Sequence, residues 1–208
     1  LGDGQSDRAV ISHDADDWEV VRGILDCGYE KTEGWVQKDT GVCYEHFPSI
    51  RPALKLDGVF ENKHIPDRYL MASESQRMDL LAGLIDTDGN YSVGSKQYRF
   101  SNTNRDLIDQ TARLVRSLGF KVGPIQEYPP CVSSSGIAGT KTVYVIAFPA
   151  TKTVPCRLPR KRASALCRED KPAIAAIRRC EPVPGRCIQV DGGLYLAGEN
   201  LTCTHNSL

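Results

Sequence analysis

The sequence predicts an α+β fold: two pseudo-symmetric αββαββ(α) repeats forming a saddle of antiparallel strands, followed by a short β-rich tail. Three observations carry this. An apolar run over residues 80–85 ends in two carboxylates and a glycine, as a helix that stops at Gly89 would. The order strand, helix, strand pair occurs once after Gly4 and again after Gly89. Beyond residue 186 only a short, β-rich stretch remains.

Each element has its own signal. Residues 8–12 read as a strand. Asp14 then caps a helix that carries Trp18, Val21 and Leu25 on one face and ends at Gly28. Residues 33–38 and 42–47 read as the next strand pair. Ser73 and Gln76 stand at capping-box spacing and open the helix of the apolar run. Gly83 costs about 1 kcal/mol against alanine inside that helix, and the expected return is close approach by another helix. Asp86 and Asp88 sit at the helix C-terminus, where acids oppose the macrodipole. They are expected to reach one shared point, where a divalent cation would reverse the local charge. Residues 91–93 and 98–100 are strand-like. Residues 104–118 form a helix with Leu107, Ile108, Thr111, Leu114, Val115 and Leu118 on its inner face, closed by Gly119. Residues 121–128 and 142–148 complete the second set. Leu25-Asp26-Cys27-Gly28-Tyr29 echoes Ser117-Leu118-Gly119-Phe120 at equivalent places. Residues 129–140, rich in Ser and Gly, form a loop, and residues 163–176 read as a connecting helix.

Composition excludes more than it selects. The 208 residues suffice for a sizeable core, and 26 basic against 26 acidic side chains predict no partner from overall charge. No run reaches the length of a membrane span and no signal peptide opens the chain, so a monomeric, cytoplasmic protein without a membrane partner is expected. Eight cysteines without a Cys-x-x-Cys pair argue against a zinc ribbon or thioredoxin motif and for reduced thiols. Charge is unevenly distributed: residues 152–162 carry basic side chains and no acid, suited to phosphates or to a solvated linker. Alternate strand positions offer Lys96, Gln97, Arg99, Ser101, Gln126 and Tyr128 as readers of a DNA groove, the competing reading being a solvated sheet face.

Leu81-Ala82-Gly83-Leu84-Ile85-Asp86-Thr87-Asp88-Gly89 resembles the signature nonamer of the LAGLIDADG homing endonucleases and departs from it only at Thr87. Leu1-Gly2-Asp3-Gly4 is similar to the end of a partner signature helix whose upstream turns are missing, which makes Asp3 the counterpart of Asp88. The resemblance implies two signature helices packed about a pseudo-twofold axis. Asp3 and Asp88 would be catalytic metal ligands for Mg²⁺, and the activity would be sequence-specific cleavage of double-stranded DNA across the minor groove. Asn62-Lys63-His64-Ile65-Pro66 resembles a block of intein-encoded members of that family, whose lysine lies near the scissile phosphate; Lys63 is the catalytic candidate here. Arg157-Leu158-Pro159-Arg160-Lys161-Arg162 is similar to the segment holding the second catalytic lysine, matched best by Lys161, with Arg160 and Arg162 as DNA contacts.

Thr204-His205-Asn206-Ser207 resembles the C-terminal splice junction of inteins, and Cys187-Ile188-Gln189-Val190-Asp191 with Leu194-Tyr195-Leu196-Ala197-Gly198 resembles the preceding block. In that chemistry Asn206 cyclises onto its own carbonyl, His205 assists departure of the amine, and Ser207 is the hydroxyl nucleophile beginning the host protein. Three departures stand out. The N-terminal splicing half is absent, and with it the first nucleophile. No histidine occurs around Leu194, leaving Asp191 as a substitute. Cys187 stands where many inteins have Asp. One intein class uses such a cysteine as branch nucleophile, with a threonine where Thr204 stands; a small buried residue is the alternative.

The expected organisation is therefore a nuclease domain over residues 1–165, with repeats 1–72 and 73–165. The last strands of a Hint splicing domain follow over 166–206, and the host protein starts at 207–208. Partners are a DNA target, the host protein in cis and the missing N-terminal intein half. The alternatives are a splicing element with a decayed nuclease, or a DNA-binding regulator or RNA maturase on the same repeat.

Overall fold

Ser73 begins the element around which the larger unit is built. In the computed structural model, residues 4–5, 8–132, 138–168, 176–185, 188–198 and 201–205 are described. They fall into two units, Leu1–Cys167 and Arg168–Leu208.

The larger unit carries β1 (Gly4–Gln5), β2 (Val10–His13), α1 (Trp18–Asp26), β3 (Trp35–Val36), β4 (Cys43–His46), α2 (Arg51–Leu56), α3 (Asp67–Leu70) and α4 (Glu74–Asp88). It continues with β5 (Gly89–Ser92), β6 (Gln97–Asn102), α5 (Arg105–Ser117), β7 (Gln126–Tyr128) and β8 (Val143–Pro149). Two four-stranded antiparallel sheets result, ordered β1-β2-β4-β3 and β5-β6-β8-β7. Each places its helix between the second and third strands, so the repeat expected from sequence recurs as identical topology.

The helix ends explain themselves. The Ser73 hydroxyl accepts from the Gln76 amide and the Gln76 side chain accepts from the Ser73 amide, a complete capping box at α4. Asn104 caps α5 by accepting from Leu107 N. Gly28 and Gly119 close α1 and α5 at φ +82° and +81°, the left-handed region glycine enters without penalty. Gly89 ends α4 differently. Its backbone is extended, φ −105° and ψ 174°, and glycine is required by proximity: a Cβ would sit 2.6 Å from Ile85 Cα and 3.0 Å from the Arg99 carbonyl.

Strand alternation decides the core. Tyr98, Phe100, Ile146 and Phe148 point to one face, where Leu81, Leu84 and Ile85 of α4 and Leu107, Ile108, Leu114 and Val115 of α5 cover them. Each such side chain contributes about 1.5–3 kcal/mol of burial. The core spans residues 65–156, so all of it but Ile65 and Leu70 comes from the second repeat.

Short helices α2 and α3 occupy a stretch for which no element was expected, α2 starting with a proline in its first turn. Three expectations change. Trp18 is 38% exposed, meeting His13 edge-on at 5.8 Å at the rim of the α1 face, while Val21 is fully buried. Gly83 is exposed, and a Cβ there would meet nothing among the described residues. Residues 163–168 are not helical. Residues 163–167 run as a strap along the second sheet: the Ala163 amide donates to the Tyr98 hydroxyl, Tyr91 donates to the Ala165 carbonyl, and the Cys167 amide donates to the Ala150 carbonyl. Backbone groups committed to the sheet cannot form helical bonds. Ala176 is likewise non-helical, and residues 169–175 of that expected helix lie outside the described residues.

In the smaller unit β9 (Leu194–Ala197) and β10 (Thr202–His205) form an antiparallel hairpin.

Candidate functional site

The end of α4 sends its two carboxylates to different places, correcting the shared point expected from sequence. Residues two apart on a helix are roughly 200° apart around the axis, so only one can face inward. Asp86 is that one. It is 5% exposed and accepts from Arg157 N at 2.7 Å and Leu158 N at 3.1 Å. Burial pushes its pKa up, against the opposing pull of those two amides and of Lys161 and Arg157. Asp88 is half-buried at the edge of the sheet, where Asn102 Nδ2 donates to its carboxylate at 2.9 Å.

The Lys63 segment is pinned against α5. Asn104 Nδ2 donates to the Lys63 carbonyl at 2.9 Å, and Ile65 N donates to Gln110 Oε1 at 2.7 Å. Lys63, His64, Asn104, Asp106, Asp109 and Gln110 line an open cleft there. His64 turns to its own loop, its Nδ1 2.9 Å from the Asn62 carbonyl, in keeping with a loop histidine.

The basic run 152–162 is tied into the fold while Arg157, Arg160 and Arg162 stay exposed. Lys152 Nζ donates to the Leu118 carbonyl at 2.7 Å. Arg157 reaches Asp26 at 3.4 Å, and Arg160 pairs with Asp17, both on the first repeat. Arg162 Nε donates to the Cys156 carbonyl at 2.7 Å. Lys161 is 5% exposed, and its Nζ donates to the carbonyls of Asp86 at 2.5 Å and Thr87 at 2.8 Å. A cation on the last-turn carbonyls offsets the macrodipole that the two acids oppose. Lys161, expected as the second catalytic lysine, therefore caps α4 beside Asp88 from a buried position.

The alternation of β6 holds. Gln97, Arg99 and Ser101 lie on the face opposite Tyr98 and Phe100, and register joins them to the neighbouring strand through Arg99↔Ala147 and Ser101↔Val145↔Gln126. Tyr128 lies on the same face, exposed, its hydroxyl 3.0 Å from Gln126 Oε1. Lys96 is at the preceding turn with φ +51°, exposed, its carbonyl taken by Ala150 N.

Thr204 and His205 end β10, paired with Tyr195 and Leu194, and the His205 ring packs where a Cβ on Gly193 would come within 2.8 Å of Nε2. Asp191 is exposed in the turn before β9. Asp3, Cys187, Asn206 and Ser207 lie outside the described residues.

The sequence reading missed Asn102 and Asn104. A signal was present: Asn102 shares the strand parity of Tyr98 and Phe100, so a polar group falls where the pattern calls for an apolar one.

Residues 75–127 match the LAGLIDADG-like domain family. Over its whole length the chain is 33% identical, across 219 aligned residues, to the replicative DNA helicase DnaB of Mycobacterium intracellulare, and it spans 34% of that protein. Among solved structures, mesophilic variants of the homing endonuclease I-DmoI align with 68% of this chain and 72% of theirs, at 14% identity and TM-score 0.43. I-DmoI in complex with DNA and Mn aligns with 68% and 73%, at 15% identity and TM-score 0.42. No helix among the described residues is long and apolar enough to cross a membrane.

Proposed function

We propose that this chain is the nuclease-bearing part of an intein, a site-specific double-stranded DNA endonuclease whose C-terminus carries the splice junction. The observation that carries this is the pairing of two matches. A LAGLIDADG-like domain occupies residues 75–127, and the whole chain aligns with a third of a protein named as a helicase. A nuclease-type repeat inside a helicase gene is what an intein inserted in that gene produces. The two domains are read as residues 1–165 and 166–206, with Ser207 the first host residue.

Asp88 is the catalytic carboxylate, with Asp3 its counterpart by sequence. The Asp88 carboxylate at the end of α4 offers oxygen donors. One or two carboxylates with retained waters suit Mg²⁺. When bound, such a cation supplies Lewis acidity toward water and the leaving oxygen. The chain's own residues do the rest. Lys63 stabilises charge at the scissile phosphate, Lys161 offsets the helix-end charge beside Asp88, and Gln97, Arg99, Ser101, Gln126 and Tyr128 read the duplex, with Lys96 at the turn. Arg160 and Arg162, both exposed, contact the phosphates.

At the C-terminus, Asn206 cyclises and releases Ser207 with help from His205, and Cys187 with Thr204 supplies the branch chemistry. The test is cleavage of a plasmid carrying the uninterrupted helicase-gene joint. One double-strand cut at the joint with Mg²⁺, and none in EDTA, is expected. Cutting in EDTA, or equal cutting of plasmids without the joint, rejects the reading.

A further inference from the structure

We propose that Asn102 and Asn104 are positioning residues, a hydrogen-bonded bracket that fixes the Lys63 segment relative to the Asp88 carboxylate. The inference rests on the nuclease reading above. The contacts run without a break. Asn102 Nδ2 donates to Asp88 Oδ2 at 2.9 Å, and Asn102 Oδ1 accepts from Asn104 N at 2.9 Å. Asn104 Oδ1 accepts from Leu107 N at 3.3 Å, and Asn104 Nδ2 donates to the Lys63 carbonyl at 2.9 Å.

The ordinary role of such residues accounts for only half of this. An N-cap needs an acceptor, which Asp, Ser or Thr supplies as well as Asn. The turn that Asn102 makes with the Asn104 amide likewise uses only its oxygen. Neither role needs the two NH₂ groups, and those are the groups that reach Asp88 on one side and Lys63 on the other. Asn is the side chain that both caps α5 and donates outward. Gln110 holds the same segment six residues further along α5, so the lysine's loop is tied at two points to the helix whose N-cap is tied, through Asn102, to the Asp88 carboxylate. A charge-stabilising lysine and a carboxylate drawn from separate segments need such a tie, because a 1 Å misplacement costs about 10²-fold in rate.

Asn104→Asp tests this, since Asp keeps the cap and loses the donor; Asn104→Ser is the second variant with the same logic. Duplex affinity in Ca²⁺ should match the parent, and the thermal midpoint should fall by no more than the single lost hydrogen bond accounts for. Trypsin should cut faster after Lys63. Single-turnover cleavage in Mg²⁺ should fall by about 10²-fold if the displacement is of the order of 1 Å. Adding Lys63→Ala to Asn104→Asp should cost little more than Lys63→Ala alone, because both act through one group. Unchanged tryptic protection at Lys63 with parental cleavage, or losses that multiply in the double variant, overturns the bracket while leaving the nuclease reading intact. A parent that cuts no duplex overturns both.

Discussion

Asp86 and Asp88 are separated by one residue and differ in everything that follows. Asp86 is a buried anchor whose two oxygens each take a backbone amide of the 157–158 segment. Asp86→Ala strands both donors, at about 1–3 kcal/mol each. The unfolding midpoint in urea should drop accordingly with an unchanged slope, and an unchanged midpoint would show that water replaces the carboxylate at no cost. The neighbouring thiol gives a second residue-level expectation. Cys156 is 1% exposed, and burial, with Asp86 adding its negative charge, pushes its thiol up to about 12. A raised thiol pKa means less thiolate at any lower pH, and the thiolate is the nucleophile. At pH 8 iodoacetamide should therefore modify exposed Cys27 and Cys131 and spare Cys156, read by peptide mass spectrometry. Equal labelling of Cys156 would contradict the burial.

At the scale of elements, α4 is a helix finished at both ends, by the Ser73–Gln76 box and by Lys161 on its last carbonyls. Lys161→Met should lower the thermal midpoint, the lost cap interaction being worth up to about 2 kcal/mol at a buried site, and should leave the salt dependence of DNA binding unchanged. Arg99→Ala, on the open face of β6, should reduce the salt slope by about 1. The reverse assignment of these two effects would return Lys161 to the phosphate contacts.

Local signals made α4, α5 and the alternation of β6 legible from sequence, because capping spacing and period-2 burial act within a few residues. The fates of Asp86, Lys161 and Arg160 were not legible. Their partners lie 75 residues away for the carbonyl held by Lys161 and 143 for the Asp17 paired with Arg160, a separation that no window of sequence spans. The strap at 163–167 was misread for the same reason, its amides being committed to the distant sheet.

On the scale of the whole molecule, the two sheets share one strand order, yet the large apolar cluster lies in residues 65–156. The arginines of the 157–162 segment join the repeats by reaching Asp26 and Asp17 of the first. The C-terminal unit is chemically separate in the proposed function. Expressed in its natural coding context, the chain should break between Asn206 and Ser207 without a protease. Asn206→Ala should stop this, and His205→Ala should slow it by about 10²–10⁴-fold. Asp88→Asn should leave it untouched; mass spectrometry of the released terminus reads all three. Asp88 as the catalytic carboxylate is tested by binding in Ca²⁺ and cleavage in Mg²⁺ of the same target duplex by the parent and by Asp88→Asn. Equal affinity with cleavage abolished in the variant is the predicted result. Cleavage by Asp88→Asn at the parental rate would contradict it.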